Sequence, residues 1–286
     1  GSQIQPDVRT VQGELIHAFE KLGWIAKGVE EHNLVLSSRT DAGVHVRLNG
    51  GTVRVAQSLW DSITPRKFVR AVDDLLPDEI SFLDVREVAM DWNPRMAVHR
   101  IYRYRLEGIE FWKDPGEAFA TWLKLFEGTY NASNFARLEA GKNPIRTILS
   151  CTPWVVEGRT VGFEIVGEAF LWNQVRRTAM ALHLLSLGEI TTEDVQRAID
   201  EPENEVDFGV APPDWLILWG VEWEDAPIPE SNEISCNFSP APVPSREAER
   251  TMRKRWREGA RMEIKRMLYL EWMHLGQLPI AFHKSN

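Results

Sequence analysis

The chain has 286 residues, 33 basic against 42 acidic side chains, a formal net charge of -9 and 43% hydrophobic residues. That length suits two domains of ordinary size with real cores. Its two cysteines, Cys151 and Cys236, lack any Cys-x-x-Cys partner, which argues against a disulfide framework or a zinc knuckle; the longest apolar stretch, Ala179 to Leu187, is too short to cross a bilayer and is broken by His183. With no signal peptide at the start, a reducing cytoplasm is the expected compartment.

In chain order, Thr10 to Leu22 places Val11, Leu15, Ala18, Phe19 and Leu22 at helical spacing, with Thr10 as a cap. Val29 to Leu36 reads as a strand leading into a turn around Asp41, and Thr52 to Ala56 alternates well enough to pair with it. Thr64-Pro65 opens a helix with Pro65 at the favoured first position and Phe68, Val69, Val72, Leu75 and Leu76 on one face; Ile80 to Val88 is expected as the next strand. A second α+β rhythm follows: a strand from Tyr102 to Leu106, a helix near Phe119 to Phe126, strands near Thr147 to Val156 and Thr160 to Val166, and a helix from Leu171 to Leu187. Thr191-Thr192-Glu193-Asp194 starts a short helix. Leu216 to Val221 reads as the last strand, Pro227 to Pro244 as a linker, and Ser245 to Leu275 as a helix whose large apolar residues (Met252, Trp256, Met262, Met267, Leu270, Trp272, Met273) form no clean stripe. The expected division is an α+β domain over 1–95, a second over 96–226, and a linker with a helical extension over 227–286.

Net charge hides its distribution. Seven acids between Glu193 and Asp207 face Arg197 alone, whereas Arg246 to Arg266 holds nine basic residues against four acids. An acidic protein can therefore still present a cationic surface to a nucleic acid.

The turn Arg39-Thr40-Asp41-Ala42-Gly43-Val44-His45 sets one carboxylate beside a guanidinium at a strand end. Most R-x-D-x-G strings are solvated surface turns. A guanidinium held near the carboxylate keeps it ionised in a recessed cleft, where it can act as nucleophile or base.

The string resembles the catalytic signature of the tRNA pseudouridine synthase A family, in an archaeal-like member. Further matches occur in family order: Gln3-Ile4-Gln5-Pro6 with Thr10 to Leu15, Asn93-Pro94-Arg95-Met96-Ala97 with Arg100-Ile101-Tyr102-Arg103-Tyr104, Phe126 to Tyr130 with Asn134-Phe135, Ile145-Arg146-Thr147-Ile148, and Ala169-Phe170-Leu171 with Val175-Arg176-Arg177. Nothing after about Val221 matches. One departure is at the start, where Gly1-Ser2 directly precedes Gln3 without the family's usual first strand; either that strand has been cut from the sequence or, if it is truly missing, the N-terminal sheet lacks a member and exposes an edge.

The resemblance implies two ferredoxin-like (RRM-like) α+β domains whose antiparallel sheets adjoin around a central cleft. It also implies conversion of uridine to pseudouridine at positions 38 to 40 of the tRNA anticodon stem-loop, by a homodimer. Breaking the C1′–N1 bond, turning the base and rejoining through C5 involves no redox step and no group donor, so no cofactor is expected. Asp41 is the implied catalytic carboxylate, either as nucleophile at the sugar or as a base on a ribose proton. Arg176 is its implied basic partner and Arg39 the residue that intrudes beside the extruded nucleotide. Tyr102 is expected to stack on the target base and to serve in the later proton transfer from C5. Phe170 shapes the pocket wall, and Arg95, Arg47 and His45 are expected to bind substrate, the arginines through phosphates. Both Arg39 and Arg176 should approach Asp41. The seven histidines are scattered without paired-ligand spacing, so no metal site is expected. A non-catalytic RNA-binding or tRNA chaperone protein of the same fold is the alternative.

Overall fold

The computed structural model describes residues 1–27, 34–231, 240–245 and 247–278. In chain order these form α1 (Val11–Lys21), β1 (Leu34–Leu36), β2 (His45–Val46), β3 (Gly51–Val53), α2 (Gln57–Ser62), α3 (Pro65–Asp73), β4 (His99–Tyr104), α4 (Ala118–Lys124), β5 (Gly128–Asn131), β6 (Ile145–Val156), β7 (Arg159–Gly167), α5 (Gln174–Leu187), α6 (Thr192–Asp200), β8 (Leu216–Glu222) and α7 (Arg250–Leu275). The chain is thus of mixed α+β architecture. No helix among the described residues is long and apolar enough to cross a membrane.

Local chemistry accounts for the helix starts. The Thr10 hydroxyl accepts the Gly13 N–H at 3.2 Å to cap α1, and Thr191 and Asp194 form a reciprocal capping box on α6. Pro65 occupies the first turn of α3, where its missing N–H costs nothing.

Two separate apolar cores result. The first gathers Leu15, Ala18 and Phe19 of α1, Phe68 and Val72 of α3, and Leu34 of β1, with the Trp24 ring 4.4 Å from that of Phe68. Beside it β1 and β3 pair antiparallel, Leu34 opposite Val53. The rest of the expected strand from Val29 lies outside the described residues. The strand expected over Ile80 to Val88 does not form. Phe82 does pack on this core, edge-on to Phe19 at 6.2 Å, but its backbone N–H goes to the Asp73 carboxylate at 2.7 Å. The apolar residues here, Phe82 and Val85, reach a core without a neighbouring strand to complete a ladder.

The second core fills the space around a six-stranded sheet of order β2-β8-β4-β7-β6-β5. Every neighbouring pair in it is antiparallel except β2 with β8, which run parallel. The two halves of the chain are therefore joined differently from two adjoining antiparallel sheets: β2, the segment directly after the Asp41 turn, adds itself to the large sheet. Gly162 lets β7 close on β4, since a Cβ there would lie 1.8 Å from the Tyr104 carbonyl oxygen.

Helix α7 belongs to this second core. Ala260, Ile264, Met267, Leu268 and Leu275 are its buried stripe, while Met252, Met262 and Met273 are exposed. Small and medium apolar residues carry the seam, which a reading based on the large ones misses. Arg105, fully buried on the sheet side, donates to the Ala260 carbonyl at 3.0 Å and pairs with Glu263 at 2.7 Å.

Candidate active site

Asp41 follows β1 in a turn closed by the Val44 N–H on the Asp41 carbonyl at 3.2 Å. Three anchors fix this turn. Asn49 bonds Ser38 from both ends of its amide, accepting the Ser38 N–H at 3.2 Å and donating to the Ser38 carbonyl at 2.8 Å. Ser2 and Thr40 exchange hydrogen bonds, the Ser2 N–H on the Thr40 carbonyl at 3.1 Å and the Thr40 N–H on Ser2 Oγ at 2.8 Å. Gly43 sits at φ +88°, and a Cβ on it would lie 3.1 Å from Pro213 Cγ, so both its backbone conformation and its close approach to the Pro213 turn require glycine.

The Asp41 carboxylate meets the start of α5. Arg176 Nη1 lies 2.7 Å from Asp41 Oδ2, and the Trp172 indole N–H donates to Oδ1 at 3.1 Å. Arg176 cannot drift, because Nε donates to the Ala211 carbonyl at 2.8 Å and Nη1 also reaches Asn173 Oδ1 at 3.0 Å. Asn173 takes a left-handed conformation, φ +63°, which asparagine tolerates better than most residues. Trp172 is steadied from behind by Arg137, whose guanidinium stands 4.3 Å from the indole centroid and whose N–H donates to the Trp172 carbonyl at 2.8 Å. The Asp41 side chain nevertheless keeps 33% of its surface exposed, enough for a substrate atom to reach it.

Tyr102, on β4 in the centre of the large sheet, packs edge-on against Phe170 with ring centroids 5.1 Å apart. Burial pushes its phenol up to about 12, with the Arg100 charge opposing and the Asp41 carboxylate adding to the rise, so the ring stays protonated at neutral pH. The register of β4 against β8 shifts between Ile101 and Tyr102, a bulge that re-aims the strand beside the site. Arg100 ties the surrounding loops together, donating to the carbonyls of Arg95 at 2.8 Å and Ala97 at 3.1 Å and to that of Glu168. Arg95 itself is exposed.

Three sequence-stated residues stand elsewhere. Arg39 is exposed and donates to Gln3 Oε1 at 3.1 Å, making no ion pair with Asp41, whose cation is Arg176. His45 faces Asp214, Lys265 and Arg261; burial, then the Lys265 charge, holds its imidazole below the ordinary value, so it is neutral at physiological pH. Arg47 corrects the sequence reading outright. Its side chain is sealed from solvent, 2.5 Å from a Glu271 carboxylate that is equally buried, and it donates to the carbonyls of Pro229 and Glu230 at 3.1 and 3.2 Å. All its donors point into protein, so it meets no phosphate in this arrangement.

Sequence reasoning passed over Trp172 and Asn173. The available signal was their place between Leu171 and Val175, an indole and a short amide at the mouth of the helix that carries Arg176. Among the described residues no three His, Cys, Asp or Glu side chains converge as a metal site.

A family model described as tRNA pseudouridine synthase matches residues 123–224. The tRNA pseudouridine synthase A of Thermococcus onnurineus is 37% identical over 225 residues, covering 78% of this chain and 80% of that protein. The protein of the same name from Thermococcus sibiricus is 38% identical over 232 residues, with 78% and 80% covered, and that from Methanoculleus marisnigri is 35% identical over 226 residues, with 78% and 77% covered.

Proposed function

This chain belongs to the tRNA pseudouridine synthase A family, and from that premise we propose that it isomerises uridine to pseudouridine in the anticodon stem-loop of tRNA, at positions 38 to 40, with Asp41 as the catalytic carboxylate. One observation carries the assignment of the site: two segments separated by 135 residues converge on a single carboxylate, Arg176 at 2.7 Å, with Trp172 on its other oxygen. Each carboxylate oxygen accepts more than one hydrogen bond. Arg176 and Trp172 therefore orient Asp41 while leaving it able to meet a ribose atom or proton.

The extruded uridine is read as lying against Tyr102 and Phe170, whose perpendicular rings make a wall and a floor. A protonated Tyr102 takes part in proton transfer at C5 as a relay, its oxygen receiving the C5 proton as its own O–H proton passes to water, and not as a standing phenolate. Arg39, exposed on the same turn, is free to enter the RNA stack, and exposed Arg95 to meet a phosphate. The reaction as written consumes no co-substrate and employs no cofactor. The finer reading of the fold as two ferredoxin-like units, divided near residue 95 and followed from 227 by an extension, has the two separate cores in its favour. A homodimer acting in the cytoplasm is part of the same proposal.

The test is direct. Unmodified tRNA transcripts are incubated with the purified chain and pseudouridine is mapped chemically. Conversion at positions 38 to 40 that disappears when those uridines are replaced by cytidine supports the reading. A chain that binds tRNA but leaves every uridine unchanged would favour a non-catalytic RNA-binding role instead.

A further inference from the structure

Helix α7 divides its cations between two settings. Arg253 and Arg257 stand 3.4 and 3.2 Å from Glu110, and Arg261 lies 3.3 Å from Glu258 and 4.0 Å from Asp214. Arg250, Lys254, Arg255, Lys265 and Arg266 are exposed instead, and none of the five forms an ion pair with a carboxylate among the described residues. A partnered cation secures the helix to the body. An unpartnered set of five, in a chain of net charge -9, is surplus to that task.

Placement gives the surplus a direction. Positions 252, 255, 259, 262, 266, 269 and 273 alternate steps of three and four along one helix face, and all of them are exposed. Arg255 and Arg266 therefore share with Met252, Met262, Tyr269 and Met273 a strip, flanked by Lys254 and Lys265, that runs about 32 Å along the 26-residue helix. The middle of α7 borders the catalytic turn. Asp214, 4.0 Å from Arg261, also faces Gly43, where an added Cβ would sit 3.8 Å from its Oδ1. Lys265 is close enough to His45 to bias its protonation.

We propose that this outward face of α7 is a second tRNA contact, where Arg255 and Arg266 with the flanking Lys254 and Lys265, joined by Arg250 at the exposed start of the helix, hold backbone phosphates of the RNA beyond the catalytic cleft. The inference rests on the function proposed above. Charge complementarity selects the occupant: a polyanion matches five free cations, whereas a second copy of the chain paired through this face would set Arg255, Arg266 and their neighbours against like charges. Unbranched methionine side chains and the Tyr269 ring suit contact with ribose and bases between phosphates.

The experiment combines Arg250→Gln, Lys254→Gln, Arg255→Gln, Lys265→Gln and Arg266→Gln in one full-length variant; all five sites are exposed, so the fold should persist. Binding of tRNA is measured across a salt series, together with single-turnover isomerisation at saturating tRNA and sedimentation of the free protein. Affinity is expected to fall at least about tenfold near physiological salt, and the slope of log K against log salt to become shallower by about two or more. The saturating rate should stay within about twofold of wild type, because no chemistry is assigned to this face. Unchanged affinity and slope overturn the proposal in favour of a solvated face. An unchanged slope with a smaller sedimenting species shows instead that the face pairs two copies. A collapse of the saturating rate in a folded variant overturns it too, by placing the strip inside the active site. A wild-type chain that neither binds nor isomerises tRNA refutes the proposed function itself, whereas full wild-type activity with an indifferent variant refutes only the second contact.

Discussion

Two arginine–carboxylate pairs, whose first members Asp41 and Arg47 lie six residues apart, follow opposite designs. Asp41 and Arg176 meet at 2.7 Å with a third of the aspartate side chain open to solvent; Arg47 and Glu271 meet at 2.5 Å with nothing open. The open pair is bounded by an exposed indole and loop carbonyls, so its charge is available to a ligand. The sealed pair spends its hydrogen-bonding capacity inside: Arg47 also lies 4.9 Å from the Trp219 ring, and its carbonyl accepts the Trp272 indole N–H at 2.9 Å. The same two functional groups thus serve chemistry in one place and architecture in the other, and burial of the carboxylate is what separates them.

The comparison breaks most sharply at Asp41. Asp41→Asn should leave the fold and tRNA affinity intact while single-turnover isomerisation drops by at least about three orders of magnitude, since the amide is neither nucleophile nor base. Substantial residual turnover in a clean preparation would remove Asp41 from the chemistry. At the sealed pair, Glu271→Ala strands a buried guanidinium and is expected to lower unfolding free energy in urea by about 3–5 kcal/mol. Combining Arg47→Met with Glu271→Leu should recover more than half of that loss; if the double variant is as unstable as the single one, the carbonyl contacts of Arg47 matter more than its ion pair. A smaller effect is expected from Trp172→Phe, which removes one hydrogen bond to a charged acceptor and should slow single turnover roughly tenfold. A rate unchanged by this substitution would leave Arg176 as the sole group orienting Asp41.

The smallest effect near neutrality concerns Tyr102, whose phenol is raised by burial from 10.0 to about 12. Between those values the unfolded chain has released a proton that the native chain keeps, so stability is fully present below about pH 10 and falls as pH rises toward 12. Urea midpoints should decline across that window, and Tyr102→Phe should remove part of the decline. A Tyr102-dependent step in the pH–rate profile below pH 9 would contradict a phenol held protonated by burial.

Much of this organisation was legible in the chain. The caps at Thr10 and Thr191, Pro65 at its helix start and the long hairpin ending in Gly167 all follow from neighbouring residues, which is the range over which sequence patterns act. Asp41 and Arg176 were both marked by motif, and they do meet. Arg39 makes no ion pair with Asp41 because proximity in sequence says little about side-chain direction: it turns to Gln3. Arg47 was misread for the opposite reason, since the partner that buries it lies 224 residues away. The two-residue strand β2 carries no pattern of its own and exists only because Ile217 and Leu218 lie alongside it.

That long reach from Arg47 to Glu271 sets an order of events during biosynthesis. The catalytic turn leaves the ribosome well before β8, along which β2 lies, and before the carboxylate that neutralises Arg47. At common translation speeds the 224 intervening residues take on the order of ten seconds or more. Until then Arg47 has no counter-ion to enter the interior with, and is expected to stay hydrated, leaving the segment behind Asp41 undocked. Completion of the site therefore waits on synthesis of α7: a nascent fragment that stops before Glu271 carries the whole catalytic signature without the clamp behind it.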